Sequence, residues 1–202
     1  MTNLELVLFA KSKLGTPYVY GMKGDILTEK KYEQLKILFG DLVWDSDRKK
    51  IGQVCVDCSG LISWATGIHR NSQGYHDTAE VVFPISSLKE APVGAALWCK
   101  GHIGIYLGDG KYIAADGSKY GVRTAEVKGS SFTHWFLLKD IHYKEETAKK
   151  EPMIYNEKEY MVEMIRQNGV TYLKTRDIAQ VLGLTVSSRG KIPVLADKRD
   201  SV

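Results

Sequence analysis

The amino-acid sequence predicts an α+β fold in two parts, and three observations carry that prediction. Apolar residues recur at helical spacing from the start of the chain to Val82, short β-prone runs take over between Ala95 and Lys139, and a charged stretch at Lys144 to Glu151 precedes a second strand-rich segment. Strands that follow helices through short connections form an antiparallel sheet with helices packed on one side. The expected organisation is a main domain over 1–143, a charged linker over 144–151 and a small α+β module over 152–202.

Each element has a local cause. Thr2 and Glu5 have capping-box spacing, Leu4, Val7, Leu8 and Leu14 repeat at helical period, and Gly15-Thr16-Pro17 stops the helix. Pro17 to Gly21 is an extended approach into a turn, whose tyrosines are either core or cleft residues. Thr28 opens a helix with Tyr32, Leu35 and Leu38 on one face and Gly40 at its end, followed by a polar, turn-like stretch from Trp44 to Ile51. Leu61, Ile62, Trp64, Ala65 and Ile68 define the next helix, which starts at Asp57-Cys58-Ser59. Gly67 to Asp77 reads as irregular, and a short helix is expected at Thr78 to Val82. The strand candidates are Ala95 to Cys99, His102 to Leu107, Lys111 to Ala115, Val122 to Val127 and His134 to Lys139, with Gly108-Asp109-Gly110 as a tight turn.

Lys144 to Glu151 is almost entirely Lys, Glu and Ala and has nothing to bury. After it come strand candidates at Met153 to Tyr155, Tyr160 to Ile165, Val170 to Leu173, Leu184 to Ser187 and Ile192 to Leu195. A helix over Asp177 to Leu182 closes with Gly183.

Composition removes several classes of function. The 202 residues are 44% hydrophobic and carry a net charge of +4, shared evenly by the two parts on either side of the charged stretch. Neither part is basic enough to argue for a nucleic-acid partner. No apolar run is long enough to span a membrane, and Leu6 to Ala10 lacks the flanks of a secretory signal, so synthesis in the cytoplasm is expected. Three Cys is an odd count, which argues against a disulfide framework.

The chemistry centres on Cys55-Val56-Asp57-Cys58-Ser59-Gly60. Cys58 falls in the first turn of a buried helix, where unpaired backbone amides and the positive end of the macrodipole favour thiolate over thiol. A thiolate nucleophile needs a base, and His102 is the candidate among five His. It opens a strand in which Gly104, on the same face, leaves room for another element, and the N-terminus of a helix packed on that sheet could lie over it. A rival pattern uses the same residues. Cys55-x-x-Cys58 with Cys99-x-x-His102 is a Cys3His spacing, which would make the chain a zinc-stabilised binding module.

Pro17-Tyr18 with Gly21, then Asp57-Cys58-Ser59-Gly60, then Gly101-His102-Ile103-Gly104-Ile105-Tyr106-Leu107-Gly108 with Gly110 resemble, in this order, the NlpC/P60 family of papain-like cysteine peptidases. The resemblance covers about the first 140 residues. It implies a papain-like domain that cuts an amide bond in bacterial peptidoglycan with Cys58 as nucleophile, His102 as base and no cofactor. Tyr18, Asp57 and Ser59 match positions that help shape the substrate cleft in this family. The family usually places its imidazole-orienting residue as a His twelve positions after the catalytic His. Here that position is Ala114, and Asp116, two residues further on the same strand face, is the substitute; a Cys–His dyad is the alternative.

The segment from Met22 to Val54 resembles clostridial phage endolysins of the family, which implies an enzyme released to act at the cell wall. Gly169 to Leu173, Arg176 to Ala179 and Leu182-Gly183 resemble the copper-amine-oxidase N-terminal-like module of bacterial surface proteins. That part has no His and no Cys, so no metal follows; wall binding or homo-oligomer formation stands beside a plain folded appendage.

Overall fold

A capping box starts the chain in the computed structural model, which describes residues 1–143, 149–167, 170–189 and 192–197. The Thr2 hydroxyl accepts from the Glu5 amide at 3.2 Å, and the Glu5 carboxylate accepts from the Thr2 amide at 2.8 Å, setting off helix α1 (Asn3–Ser12). Its buried face is Leu6, Val7 and Ala10, whereas Leu4, Leu8 and Leu14 of the expected stripe are exposed. The helix is apolar on nearly every side, so periodicity alone did not select the face that meets the sheet.

The segment before Cys58 is more ordered than its polarity suggested. Strand β1 (Lys23–Ile26) pairs antiparallel with β2 (Val54–Val56), and between them lies α2 (Glu29–Phe39), capped by Thr28 and ended by Gly40 at φ +56°. Trp44 to Ile51, expected as a turn-like stretch, contains a 3-10 helix over Asp45–Lys50. A buried ion pair explains the difference. Asp47 is fully buried and bonds Lys50 Nζ at 2.6 Å, and that ammonium also donates to the carbonyls of Tyr18 at 2.7 Å and Ser118 at 2.9 Å. Ser118 Oγ in turn donates to Asp47 at 3.0 Å. Val19, Leu27, Tyr32, Leu35, Val43 and Cys55 form the apolar cluster of this segment.

Helix α3 (Cys58–Thr66) is capped by Asp57 and closed by Gly67 in the left-handed region. The next helix, α4 (Ser72–Asp77), lies earlier than the expected Thr78 to Val82. Asn71 sets its start by accepting from the Gly74 amide at 2.7 Å, and Val82 instead opens strand β3 (Val82–Pro84) opposite His134 to Phe136.

The remaining strands are β4 (Ala96–Cys99), β5 (His102–Gly108), β6 (Lys111–Ala115), β7 (Val122–Glu126) and β8 (His134–Phe136). They form an antiparallel six-stranded sheet in the order β3-β8-β4-β5-β6-β7. At the turn from β5 to β6, Gly108, Asp109 and Gly110 all have positive φ, which the two glycines adopt without Cβ strain. One face of the sheet, with Ile103, Ile105 and Ile113, packs on Leu6, Val7 and Ala10 of α1 and on Leu61 and Ile62 of α3. Full burial of each large side chain contributes about 1.5–3 kcal/mol. The other face, with Tyr106, Tyr112, Ala114 and Trp135, is covered by Phe132 and by Ile85 and Leu88 of a short 3-10 helix (Ile85–Glu90).

The chain divides into two compact units, Met1–Lys144 and Glu145–Val202. In the second, β9 (Lys149–Tyr155), β10 (Lys158–Gln167) and β11 (Val170–Leu173) form an antiparallel sheet in the order β11-β10-β9. Helix α5 (Thr175–Leu182) ends at Gly183, and β12 (Leu184–Arg189) pairs with β13 (Ile192–Asp197). Strand β9 takes in Lys149 to Glu151 of the charged stretch, because they pair with Val162 to Met164. Residues 144–148, and Gly169 of the module motif, lie outside the described residues.

Candidate active site

Cys58 is the first residue of α3 and is 7% exposed, which places its thiol where the helix amides are not yet paired within the helix. Asp57, the cap, is used up by its neighbours. Its Oδ1 accepts from the Gly60 amide at 2.5 Å, Ser59 Oγ at 2.9 Å and Lys23 Nζ at 3.1 Å; its Oδ2 accepts from the Gly21 amide at 2.9 Å and from Lys23 at 3.2 Å. Lys23 also donates to Ser59 Oγ at 2.8 Å. Gly60 is required here, because a Cβ would stand 2.2 Å from the Met22 carbonyl oxygen. The Lys23 end of the inserted hairpin is thereby held against the start of α3.

His102 opens β5 and donates from Nε2 to Asp116 Oδ1 at 3.1 Å, which leaves Nδ1 available to Cys58, whose thiol is near enough to act on the ring. Phe132 stacks on the imidazole with ring centroids 5.4 Å apart and planes 11° apart. It also fills the space over Gly104, where a Cβ would be 3.0 Å from its ring. The element that Gly104 admits is this aromatic residue, while Cys58 at the start of α3 acts on the His102 ring.

Asp116 is held from three sides. Besides His102, Arg123 Nε donates to its Oδ2 at 2.7 Å and the Tyr112 hydroxyl at 2.9 Å, while the carboxylate is only 6% exposed. Burial favours the neutral carboxyl, yet the donors from His102, Arg123 and Tyr112 outweigh it and keep Asp116 below the usual carboxylate range. On His102, burial likewise opposes the charge. The hydrogen bonds to Asp116 and Cys58, with the negative charge of both, reverse that effect and push the imidazole up to about 10.

The surface around this pair is concave on both sides. Cys58 lines a cleft of about 330 Å³ with Tyr20, Lys23, Phe39 and Arg70, and His102 lines one of about 370 Å³ with Tyr18, Asp116 and Arg123. Tyr18 is tied to the strand entering α3 through a bridge to Val56. Burial, then the negative charges of Cys58 and Asp57, push its phenol above its ordinary value, so the hydroxyl stays a donor.

All six residues singled out in the sequence, Tyr18, Asp57, Cys58, Ser59, His102 and Asp116, therefore line these two clefts. The Cys3His set does not assemble. Cys55 is fully buried in the cluster of the inserted segment, where burial pushes its thiol up to about 11, and Cys99 lies beside Ser131 Oγ at 3.4 Å. Among the described residues, no three His, Cys, Asp or Glu are placed to hold a metal ion. Sequence reasoning missed Lys23, Tyr112, Arg123 and Phe132. Only strand alternation hinted at Tyr112, two and four residues before Ala114 and Asp116 on the same face.

The model of the NlpC/P60 family matches residues 15–140. The chain is similar to the NlpC/p60 domain of the peptidoglycan hydrolase SagA, at 23% identity over 68% of this chain and 100% of that one, with a TM-score of 0.44. It is similar to the P60 domain of an antigen from M. avium subspecies paratuberculosis, at 20% identity over 69% of this chain and 96% of that one, with a TM-score of 0.48. A third similar structure is the peptidoglycan hydrolase RipB from Mycobacterium tuberculosis, at 26% identity over 70% of this chain and 65% of that one, with a TM-score of 0.47. No curated protein matches. The family match spans more than half of the chain and includes the helix start at Cys58 and the strand at His102, so the chain belongs to the NlpC/P60 family.

Proposed function

We propose that this chain is a peptidoglycan hydrolase, a cysteine peptidase that cuts an amide bond in the peptide part of the bacterial cell wall. The observation that carries the reading is the joint placement of Cys58 at a helix start and of a His102 ring fixed between that thiol and the buried Asp116. Membership of the family and the peptidoglycan hydrolases among its similar structures support the substrate class.

In this reading the Cys58 thiolate attacks the substrate carbonyl, with imidazolium as its counter-charge. The first helical hydrogen bond of α3 runs from Leu61 N to Asp57 O, and the Gly60 amide is taken by Asp57, so the amides of Cys58 and Ser59 remain for the oxyanion. One such donor is worth roughly a hundredfold to a thousandfold in rate. His102 Nδ1 then protonates the leaving amine, and the same nitrogen accepts a proton from the water that hydrolyses the thioester. Asp116 keeps Nε2 protonated through both steps.

The segment from Met22 to Val54 supports a phage endolysin as the finer identity, through its resemblance to lysins of this family. The second unit is proposed to hold the enzyme to the wall or to another copy. Mass spectrometry of fragments released from purified peptidoglycan tests the function. Fragments ending at one new carboxyl and one new amine identify the bond, whereas an unchanged sacculus after incubation with active-concentration enzyme sinks the proposal.

A further inference from the structure

The cleft beside Cys58 carries a charge of unexpected sign. Asp57 and Ser59 match cleft-shaping positions, but their polar atoms already face Lys23, Gly21 and Gly60. An acidic group next to a hydroxyl would receive a substrate ammonium. Here the chain's own ammonium occupies that place, from a side chain still 21% exposed.

Its hydrogen bonds leave capacity. An ammonium has three donors. The two Asp57 oxygens, at 3.1 and 3.2 Å, are near enough in distance to share one donor, and Ser59 Oγ takes a second. The third is free to point into the cleft that Lys23 lines with Cys58. Arg70 adds a second cation to the same wall, and its ion-pair partner Asp140 is not a lining residue. Lys23 and Arg70 thus place two cationic donors on this wall within reach of the nucleophile, the first paired with Asp57 and the second with Asp140.

We infer that Lys23 determines substrate specificity by receiving a carboxylate of the peptide bound beside Cys58, and that Asp57 and Ser59 act through it by holding it in place. The inference rests on the proposed hydrolase activity. It names the substrate class: stem peptides with a free carboxylate next to the scissile amide, in preference to the same peptides with that group amidated. Charge complementarity favours the carboxylate form by the strength of one charge-assisted hydrogen bond in a half-buried cleft, about tenfold in kcat/KM and mostly through KM.

Two synthetic muropeptides that differ only in a glutamate carboxylate against its carboxamide test this, with the wild-type full chain, Lys23→Met and Lys23→Arg. The wild type should favour the carboxylate about tenfold, Lys23→Arg should keep the preference, and Lys23→Met should bring the ratio toward one. Equal rates for the two peptides with the wild type overturn the inference, as does an undiminished ratio in Lys23→Met. If Lys23→Met does not fold, the wild-type ratio and its persistence in Lys23→Arg decide. Calorimetric binding of both peptides to Cys58→Ala separates the two claims. Carboxylate-dependent binding without wild-type cleavage of either peptide would refute the hydrolase reading but keep the role of Lys23, and cleavage without carboxylate dependence would do the reverse.

Discussion

Replacing Asp116 by Asn tests how the imidazole is held, because the two carboxylate oxygens have different partners. Oδ2 receives two donors, Arg123 Nε and the Tyr112 hydroxyl, so the Asn carbonyl oxygen must take that side. The amide NH2 then faces His102 Nε2 and donates where the carboxylate accepted. A ring nitrogen that accepts cannot carry a proton, so the variant disfavours imidazolium as well as losing a charge.

A hydrogen bond to a charged group is worth about 1.5–3 kcal/mol, which equals roughly one to two pH units. His102 is pushed up to about 10, so the alkaline limb of kcat/KM on a defined muropeptide should lie near that value in the wild type. In Asp116→Asn the limb should fall by one to two units, and the rate at neutral pH should drop by about tenfold to a hundredfold. The same raised value acts on stability. Since the folded imidazole binds its proton more tightly than the ordinary 6.5, the stabilisation is complete below about 6.5 and is lost as pH rises through about 10. A variant with the wild-type rate and an unmoved alkaline limb would refute the reasoning and leave a dyad.

Two further outcomes follow from the packing. Lys50→Met leaves the fully buried Asp47 without its cation, so unfolding should become easier by about 3–5 kcal/mol, a fall in Tm on the order of 10 °C in a thermal melt; a Tm within 2 °C of the wild type, by about the same conversion, would show that the pair holds nothing. A truncation after Tyr143 keeps the His142 amide on the Met1 carbonyl at 3.0 Å and the Tyr143 hydroxyl on the Gly94 carbonyl at 3.0 Å. It should therefore fold, cut soluble muropeptides, and bind whole walls more weakly in a pelleting assay; an insoluble product would mean that the two units need each other.

Local chemistry was legible in the sequence wherever one residue type decides the backbone. Thr2, Thr28 and Asp57 cap their helices as read, Gly183 closes α5, and the Gly108-Asp109-Gly110 turn places β5 beside β6. The pairing of His102 with Asp116 follows from alternation on adjacent strands, which brings the start of β5 near the end of β6. Contacts between distant segments were not legible. Val82 to Pro84 forms a strand only because His134 to Phe136 lies alongside, and Asp45 to Lys50 coils because Asp47 and Lys50 meet Tyr18 and Ser118. Lys23 and Arg123 read as ordinary surface cations until the hairpin and β7 carry them to Asp57 and Asp116. The face of α1 stayed ambiguous because apolar residues surround the helix.

The most direct test of the nucleophile is the site of alkylation by chloroacetamide at neutral pH, located by mass spectrometry while hydrolysis of a muropeptide is followed in the same sample. Cys58 borders an open cleft at the start of α3, Cys55 is fully buried, and Cys99 is half-buried with its thiol 3.4 Å from Ser131 Oγ and, among the described residues, no helix start beside it. Cys58 should be labelled first, activity should fall in proportion to that label, and His102→Ala should slow the labelling. Activity that survives full modification of Cys58, or that is lost with Cys99 while Cys58 remains unmodified, would contradict Cys58 as the nucleophile.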